Sequence, residues 1–210
     1  RIRTATSLYV NLADPDLADV IATRLVDGVG LLRAEFIIAH HIREHPRHML
    51  EQERGDEFTD KLAGGLLSFA SAFDPRPVVY RCSDFKTNEY RGLLGGEKYE
   101  DVEENPMIGY RGVSRYVRER DLFALEIEAI KRVRQRYKNL WVMLPFVRTP
   151  LELAQVKQIM EEEGLRRADG LKLWIMVEVP STVILLDKFI EVGIDGVSIG
   201  SNDLTQLILG

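Results

Sequence analysis

Gly196-Val-Ser-Ile-Gly-Ser-Asn-Asp-Leu-Thr-Gln206 decides how the chain is read, because an apolar strand-like run ends there in adjacent polar groups and then opens into a helical segment. Leu171-Lys-Leu-Trp-Ile-Met-Val-Glu-Val-Pro180 ends in the same way, with Glu178 at its close. If the two runs are parallel neighbours in one sheet, Glu178 and Asp203 stand on one edge, with their strands about 4.8 Å apart. Two carboxylates that close suit a hard divalent cation. Magnesium commonly takes one or two protein carboxylates and completes its shell with substrate and water, so the pair makes an incomplete site. A simpler role is open to the same residues, since Ser201, Asn202 and Asp203 are all helix N-cap types ahead of Leu204 to Leu209. The two roles are compatible, because a helix N-terminus also favours anions.

Upstream of that junction, strand-like and helical segments alternate. Thr4 to Leu12, Val29 to Leu32, Pro77 to Ser83, Leu140 to Val147, Leu171 to Val179 and a sixth run at Val197 read as strands. A helix is expected over 16–26, opened by Asp14 and Pro15 and closed by Gly28 as its C-cap. Further helices are expected around 35–43 and 56–72, broken by Pro46 and Gly55, and over 121–138, 150–162 and 181–192. Residues 85–116 carry Gly92, Gly95, Gly96, Pro106, Gly109 and Gly112 and read as a long ordered excursion, of the kind compact domains keep for function. The alternation implies right-handed crossovers and a parallel sheet. Arg33, Arg81, Glu178 and Asn202-Asp203 all fall at or after the C-terminal ends of predicted strands. An open sheet gathers its site at one switch point, whereas a barrel spreads it over that whole face. The expected fold is therefore α/β, a TIM-type (β/α) barrel over residues 1–210 as one domain.

With 45% hydrophobic and 29% charged residues, the 210-residue chain has the composition of an ordinary globular protein. A net charge of −5 argues against a broad nucleic-acid surface. The single cysteine, Cys82, excludes an internal disulfide, and no apolar run reaches membrane-spanning length, so a reducing cytoplasm is the expected compartment. Arg1-Ile-Arg-Thr4 shows neither an initiator Met nor a signal-peptide pattern, which fits a fragment or a processed chain.

Arg33, Arg81 and Arg111 are the cationic candidates, since a planar fork can grip carboxylate or phosphoryl oxygens two at a time. Each could instead form a surface ion pair, Arg33 with Glu35 and Arg81 with Asp84. His41, His45 and His48 have a helical spacing that hints at zinc, but Pro46 breaks the face and a solvated helix end is expected. Gly28-Val-Gly30 lacks the third glycine of a dinucleotide loop. Strand alternation turns Cys82 away from Arg81, as a buried thiol. Trp141 and Trp174 are expected in the core and Arg118-Glu-Arg-Asp121 on a solvated face.

Six ordered motifs together resemble the phosphoenolpyruvate-binding barrel of the phosphoenolpyruvate synthase family. They are Gly28-Val-Gly-Leu-Leu-Arg-Ala-Glu35, Arg81-Cys-Ser-Asp-Phe-Lys-Thr-Asn-Glu-Tyr90, Glu104-Asn-Pro-Met-Ile-Gly-Tyr-Arg-Gly112, Met143-Leu-Pro-Phe-Val-Arg-Thr149, Val177-Glu-Val-Pro180 and Ile199-Gly-Ser-Asn-Asp-Leu-Thr-Gln206. The resemblance implies Mg²⁺ held by Glu178 and Asp203 against the carboxylate and enolate oxygens of the substrate. It implies Arg33 and Arg81 on the phosphoryl group, with Arg111 and Asn202 helping to fix phosphate or carboxylate. In that family pyruvate receives a phosphoryl group from a phosphohistidine on a swivelling domain charged by ATP in an ATP-grasp domain. The overall reaction turns ATP, pyruvate and water into AMP, phosphoenolpyruvate and phosphate, and a homodimer is among the assemblies admitted. The family barrel has eight strands, of which about the first six are expected here. Its acid-base cysteine and a further phosphate-binding arginine lie beyond the stretch matched, so these 210 residues are not expected to turn over alone. Pyruvate phosphate dikinase and enzyme I of the sugar phosphotransferase system share the Arg, Glu and Asn-Asp motifs. A Mg²⁺-dependent oxoacid lyase or aldolase barrel and a non-catalytic binding module are the readings from other classes.

Overall fold

The computed structural model describes residues 4–168 and 170–210. Six strands form one parallel sheet: β1 (Tyr9–Leu12), β2 (Gly28–Arg33), β3 (Val78–Arg81), β4 (Leu140–Leu144), β5 (Leu173–Val177) and β6 (Gly196–Ile199). Their spatial order is their order in the chain, and every neighbouring pair is parallel. Parallel neighbours need crossovers of one hand, and stepping always to the next strand curls the sheet one way into a half-barrel.

Period-two alternation along the strands sorts side chains onto two faces. Leu31, Val79, Met143 and Met176 form a small apolar cluster on one face, with half-buried Trp141 and Trp174 packed against it. Leu32, Tyr80, Cys82, Val142, Leu144 and Ile175 belong to the larger core that the helices cover. Helix Gly55–Phe73 buries Phe58, Leu62, Leu66, Phe69 and Phe73, a spacing of three or four that places them on one stripe. It packs on helix Arg120–Arg136, whose Phe123, Ile127, Ile130 and Val133 face it from the same core. Each such side chain contributes about 1.5–3 kcal/mol on burial. Among the described residues, no helix is long and apolar enough to cross a membrane.

Several local expectations need correction. The helix expected over 16–26 is a 3₁₀ turn at Pro15–Leu17 followed by Ala18–Ala22, with Asp14 accepting the Asp16 N–H at 3.0 Å. Gly28 is not a helix C-cap: it opens β2 beside Tyr9, and a Cβ there would lie 2.5 Å from the Pro77 carbonyl oxygen. The stretch 35–43 begins as helix Ala34–Ile37 and widens into a π-turn, Ile38–Ile42, closed by Arg43 at φ 63°. The helix over 181–192 is two pieces, Pro180–Ile184 and Leu186–Val192. His45 is not on a solvated helix end. It caps helix Pro46–Glu51 by accepting the Arg47 N–H, and it is buried with its Nε2 3.0 Å from Glu100 Oε1. The two tryptophans line the inner face rather than the main core, with ring centroids 6.2 Å apart.

Gly28→Ala should lower stability by about 1–3 kcal/mol, because the added methyl meets backbone that cannot give way. Gly64→Ala has open space around the added Cβ and sits inside a helix, so it should raise stability by up to about 1 kcal/mol. Thermal midpoints of the two variants in the intact protein, moving in opposite directions, are the expected result.

Candidate active site

The strand register brings the C-terminal ends together. Arg33 ends β2 and pairs in register with Arg81, which ends β3 and is next to Met143 of β4. Val177 pairs with Ile199, so the residues that follow, Glu178 and Gly200, are neighbours on the same rim. A Cβ at Gly200 would stand 2.6 Å from both Cβ and Oε2 of Glu178, so glycine is what lets the acid occupy this place. Just past β4, Phe146 adopts φ 49° and its N–H donates to Glu178 Oε1 at 2.7 Å.

A chain of alternating charge runs across this rim. Glu35 Oε1 accepts Arg81 Nη2 at 3.0 Å and the Asp84 N–H at 2.6 Å. Asp84 is gripped by Arg111 with two prongs, Nε at 3.0 Å and Nη2 at 2.5 Å. Arg111 Nη1 donates in turn to Asp203 Oδ1 at 2.9 Å. Of the pairs suggested by sequence proximity, one is replaced and one is kept. Glu35 turns to Arg81 instead of Arg33, whereas Asp84 keeps an ion pair with Arg81 at 3.8 Å while its closer contacts go to Arg111. The Arg33 side chain is exposed and forms no ion pair or hydrogen bond among the described residues.

Arg33, Arg81, Arg111 and Asp203 line one cleft of about 490 Å³, together with Glu35 and Asp84. Glu178 is buried beside it, and Asn202 lies exposed in the first turn of helix Ser201–Leu209, outside the lining. That helix is capped by Gly200 with no side-chain hydrogen bond, so Ser201, Asn202 and Asp203 do not serve as its cap. Glu35 and Asp84 are the site residues that sequence reasoning missed as such. Their signal was present, two and three positions after the strand-end arginines, but it read as local ion pairing.

Burial, reinforced by Asp84 and Asp203, pushes the Glu178 carboxyl up to about 7 against the opposing Phe146 N–H and Arg81. Burial also works against the charge on Arg81, yet Glu35, Asp84 and Glu178 outweigh it and raise its pKa. Arg81 Nε and Glu35 Oε2 are buried without a hydrogen-bond partner. The acids present a donor set that fits a hard cation. Glu178 commits Oε1 to Phe146 and Asp203 commits Oδ1 to Arg111, which leaves one oxygen of each without a protein donor among the described residues. No cluster of three or more His, Cys, Asp or Glu able to hold a metal occurs among the described residues, so two carboxylates would hold the ion and substrate and water would complete its shell.

The raised Glu178 pKa has a defined consequence. The folded state keeps this proton where the unfolded chain, at about 4.3, has lost it. The stability this group contributes is complete below the unfolded value, declines as pH rises, and is lost once pH passes about 7. Glu178→Gln keeps an oxygen for Phe146 N–H but cannot titrate. The metal-free variant should therefore lose less thermal stability than the parent between about pH 4.5 and about pH 8; superimposable profiles would refute the assignment.

Comparison with known proteins places the chain in a family. The family described as PEP-utilising enzyme, PEP-binding domain, matches residues 3–210. A phosphoenolpyruvate synthase of Aeropyrum pernix is 58% identical over 212 residues, covering 99% of this chain and 26% of its own length. A probable phosphoenolpyruvate synthase of Staphylothermus marinus is 56% identical over 211 residues, covering 99% of this chain and 25% of its own length. The phosphoenolpyruvate synthase of Escherichia coli is 43% identical over 227 residues, covering 97% of this chain and 28% of its own length. The chain therefore spans about a quarter of the length of these curated relatives. It belongs to the PEP-utilising enzyme family, as a PEP-binding domain of the kind found in phosphoenolpyruvate synthases.

Proposed function

We propose that residues 1–210 are the pyruvate- and phosphoenolpyruvate-binding barrel domain of a phosphoenolpyruvate synthase, working in the cytoplasm with phosphohistidine and ATP-grasp domains of the same protein. In the intact enzyme, ATP, pyruvate and water would become AMP, phosphoenolpyruvate and phosphate. The observation that supports this reading is that Arg33, Arg81 and Asp203 line one cleft at the C-terminal ends of the strands, with Glu178 directly after β5 and beside Gly200 on the same rim.

Each residue has a role suited to its surroundings. Arg33, exposed and without an ion pair among the described residues, has a whole guanidinium to offer a phosphoryl group. Arg81 is oriented by Glu35 and lines the same cleft as Arg33, from which its guanidinium would reach a second oxygen of the same anion. Two guanidinium groups, that of Arg81 held by Glu35, would neutralise oxygens that stay charged throughout phosphoryl transfer, a reaction governed by positioning and electrostatics. Asn202 lies outside the cleft lining but directly before Asp203 in the first helical turn, from which its amide would serve the substrate carboxylate or phosphate. Glu178 and Asp203 would hold Mg²⁺, which when bound stabilises the charge developing on the enolate oxygen as the methyl proton leaves.

Isothermal titration of the intact protein with phosphoenolpyruvate tests this. Binding should require Mg²⁺ and vanish in excess chelator. Arg33→Met should weaken it by about 10- to 100-fold, the worth of a charged hydrogen bond of about 1.5–3 kcal/mol, with little change in fold because Arg33 is exposed. Cation affinity should rise with pH through about 7, with proton release, because Glu178 must give up its proton to act as a ligand. Equal binding with and without the cation would refute the reading.

A further inference from the structure

The family resemblance puts Arg111 on the substrate's anion, but its donors are largely committed within the protein. A guanidinium has five N–H groups. Nε and one N–H of Nη2 serve Asp84, while Nη1 serves Asp203 and the Met107 carbonyl oxygen at 3.1 Å. The side chain is 4% exposed, and two carboxylates already balance its one charge. Its flat face lies 4.1 Å from the centroid of the Phe146 ring. Phe146 is the residue whose N–H holds Glu178, from a backbone conformation at φ 49° that non-glycine residues adopt sparingly. Arg148 braces the same arrangement, with its guanidinium 4.6 Å from that ring centroid and Nη1 3.2 Å from the Arg111 carbonyl oxygen.

Resting on the reading that Glu178 and Asp203 act through a divalent cation, we propose that Arg111 is a positioning residue that sets both acids and does not bind the phosphoryl group. It holds Asp203 directly through Nη1 and holds Glu178 at one remove through the Phe146 ring. Asp84 is the second half of the device, because its two-pronged grip fixes the plane from which Arg111 reaches both.

Arg111→Met and Asp84→Asn separate geometry from charge, since the first makes the site more negative and the second makes it less so. Mn²⁺ binding to the intact protein without substrate, followed by electron paramagnetic resonance, should weaken about 10- to 100-fold in both, the range for partners that orient metal ligands. The double variant should be no worse than the poorer single, as expected of two residues acting as one unit. The ratio of phosphoenolpyruvate to pyruvate affinity should stay at the parental value in both variants, whereas Arg33→Met should lower that ratio and leave Mn²⁺ binding intact. Arg111→Lys should not restore Mn²⁺ affinity, because an ammonium cannot supply the fork and the flat face together. Phe146→Leu, which leaves every charge in place and guards against misfolding of the charge variants, should also weaken Mn²⁺ binding. Unchanged or strengthened Mn²⁺ binding in Arg111→Met, with selective loss of phosphoenolpyruvate over pyruvate, would overturn the proposal and make Arg111 a direct ligand. Failure of the parent protein to bind either Mn²⁺ or phosphoenolpyruvate would instead overturn the functional reading on which it rests.

Discussion

A buried guanidinium shared between two carboxylates ties the excursion after β3 to the rim of the sheet. Arg111, Asp84 and Glu178 are each at most 4% exposed, and an isolated charge taken out of water costs several kcal/mol even after relaxation. The cost is tolerable here because signs alternate from Glu35 through Arg81, Asp84 and Arg111 to Asp203, so each arginine meets a carboxylate on either side. Removing one member would strand its partners, a loss of about 3–5 kcal/mol for a typical buried pair. Burial pushes the Glu178 carboxyl up to about 7, and the negative charge of Asp84 and Asp203 nearby adds to it, so a cation is its natural counterpart.

The excursion itself is held by a second buried network on its outer side. Arg115 grips both oxygens of Glu100, to which His45 also bonds, and its guanidinium lies over the Tyr90 and Tyr110 rings. Glu103 binds the Thr87 hydroxyl with one oxygen and the Tyr110 N–H with the other. Arg148 donates to the Gly109 and Arg111 carbonyl oxygens. Short helical turns and side-chain anchors thus do for residues 85–112 what ladder hydrogen bonds do for the strands, and they deliver Arg111 to the rim with its orientation set. Arg33 and Arg111 therefore differ in what they can offer. Arg33 is unencumbered and suited to a ligand, whereas Arg111 has most of its donors committed and is suited to support.

The alternation of strands and helices was legible from the residues alone, as was the placement of Arg33, Arg81 and Glu178 at strand ends. These follow from apolar runs and a period of two, which are local properties. Their concentration on one rim follows from parallel pairing and needs no knowledge of individual contacts. What tertiary structure decided was who pairs with whom. Asp84 meets Arg111 across 27 positions and Arg111 meets Asp203 across 92, so proximity in sequence found the looser Arg81–Asp84 pair, missed the two-pronged one to Arg111, and pointed to the wrong partner for Arg33. Gly28 in a strand, His45 in the core and the strained Phe146 are likewise consequences of backbones approaching from distant segments, because steric and electrostatic partners are chosen in space after the sheet has curled.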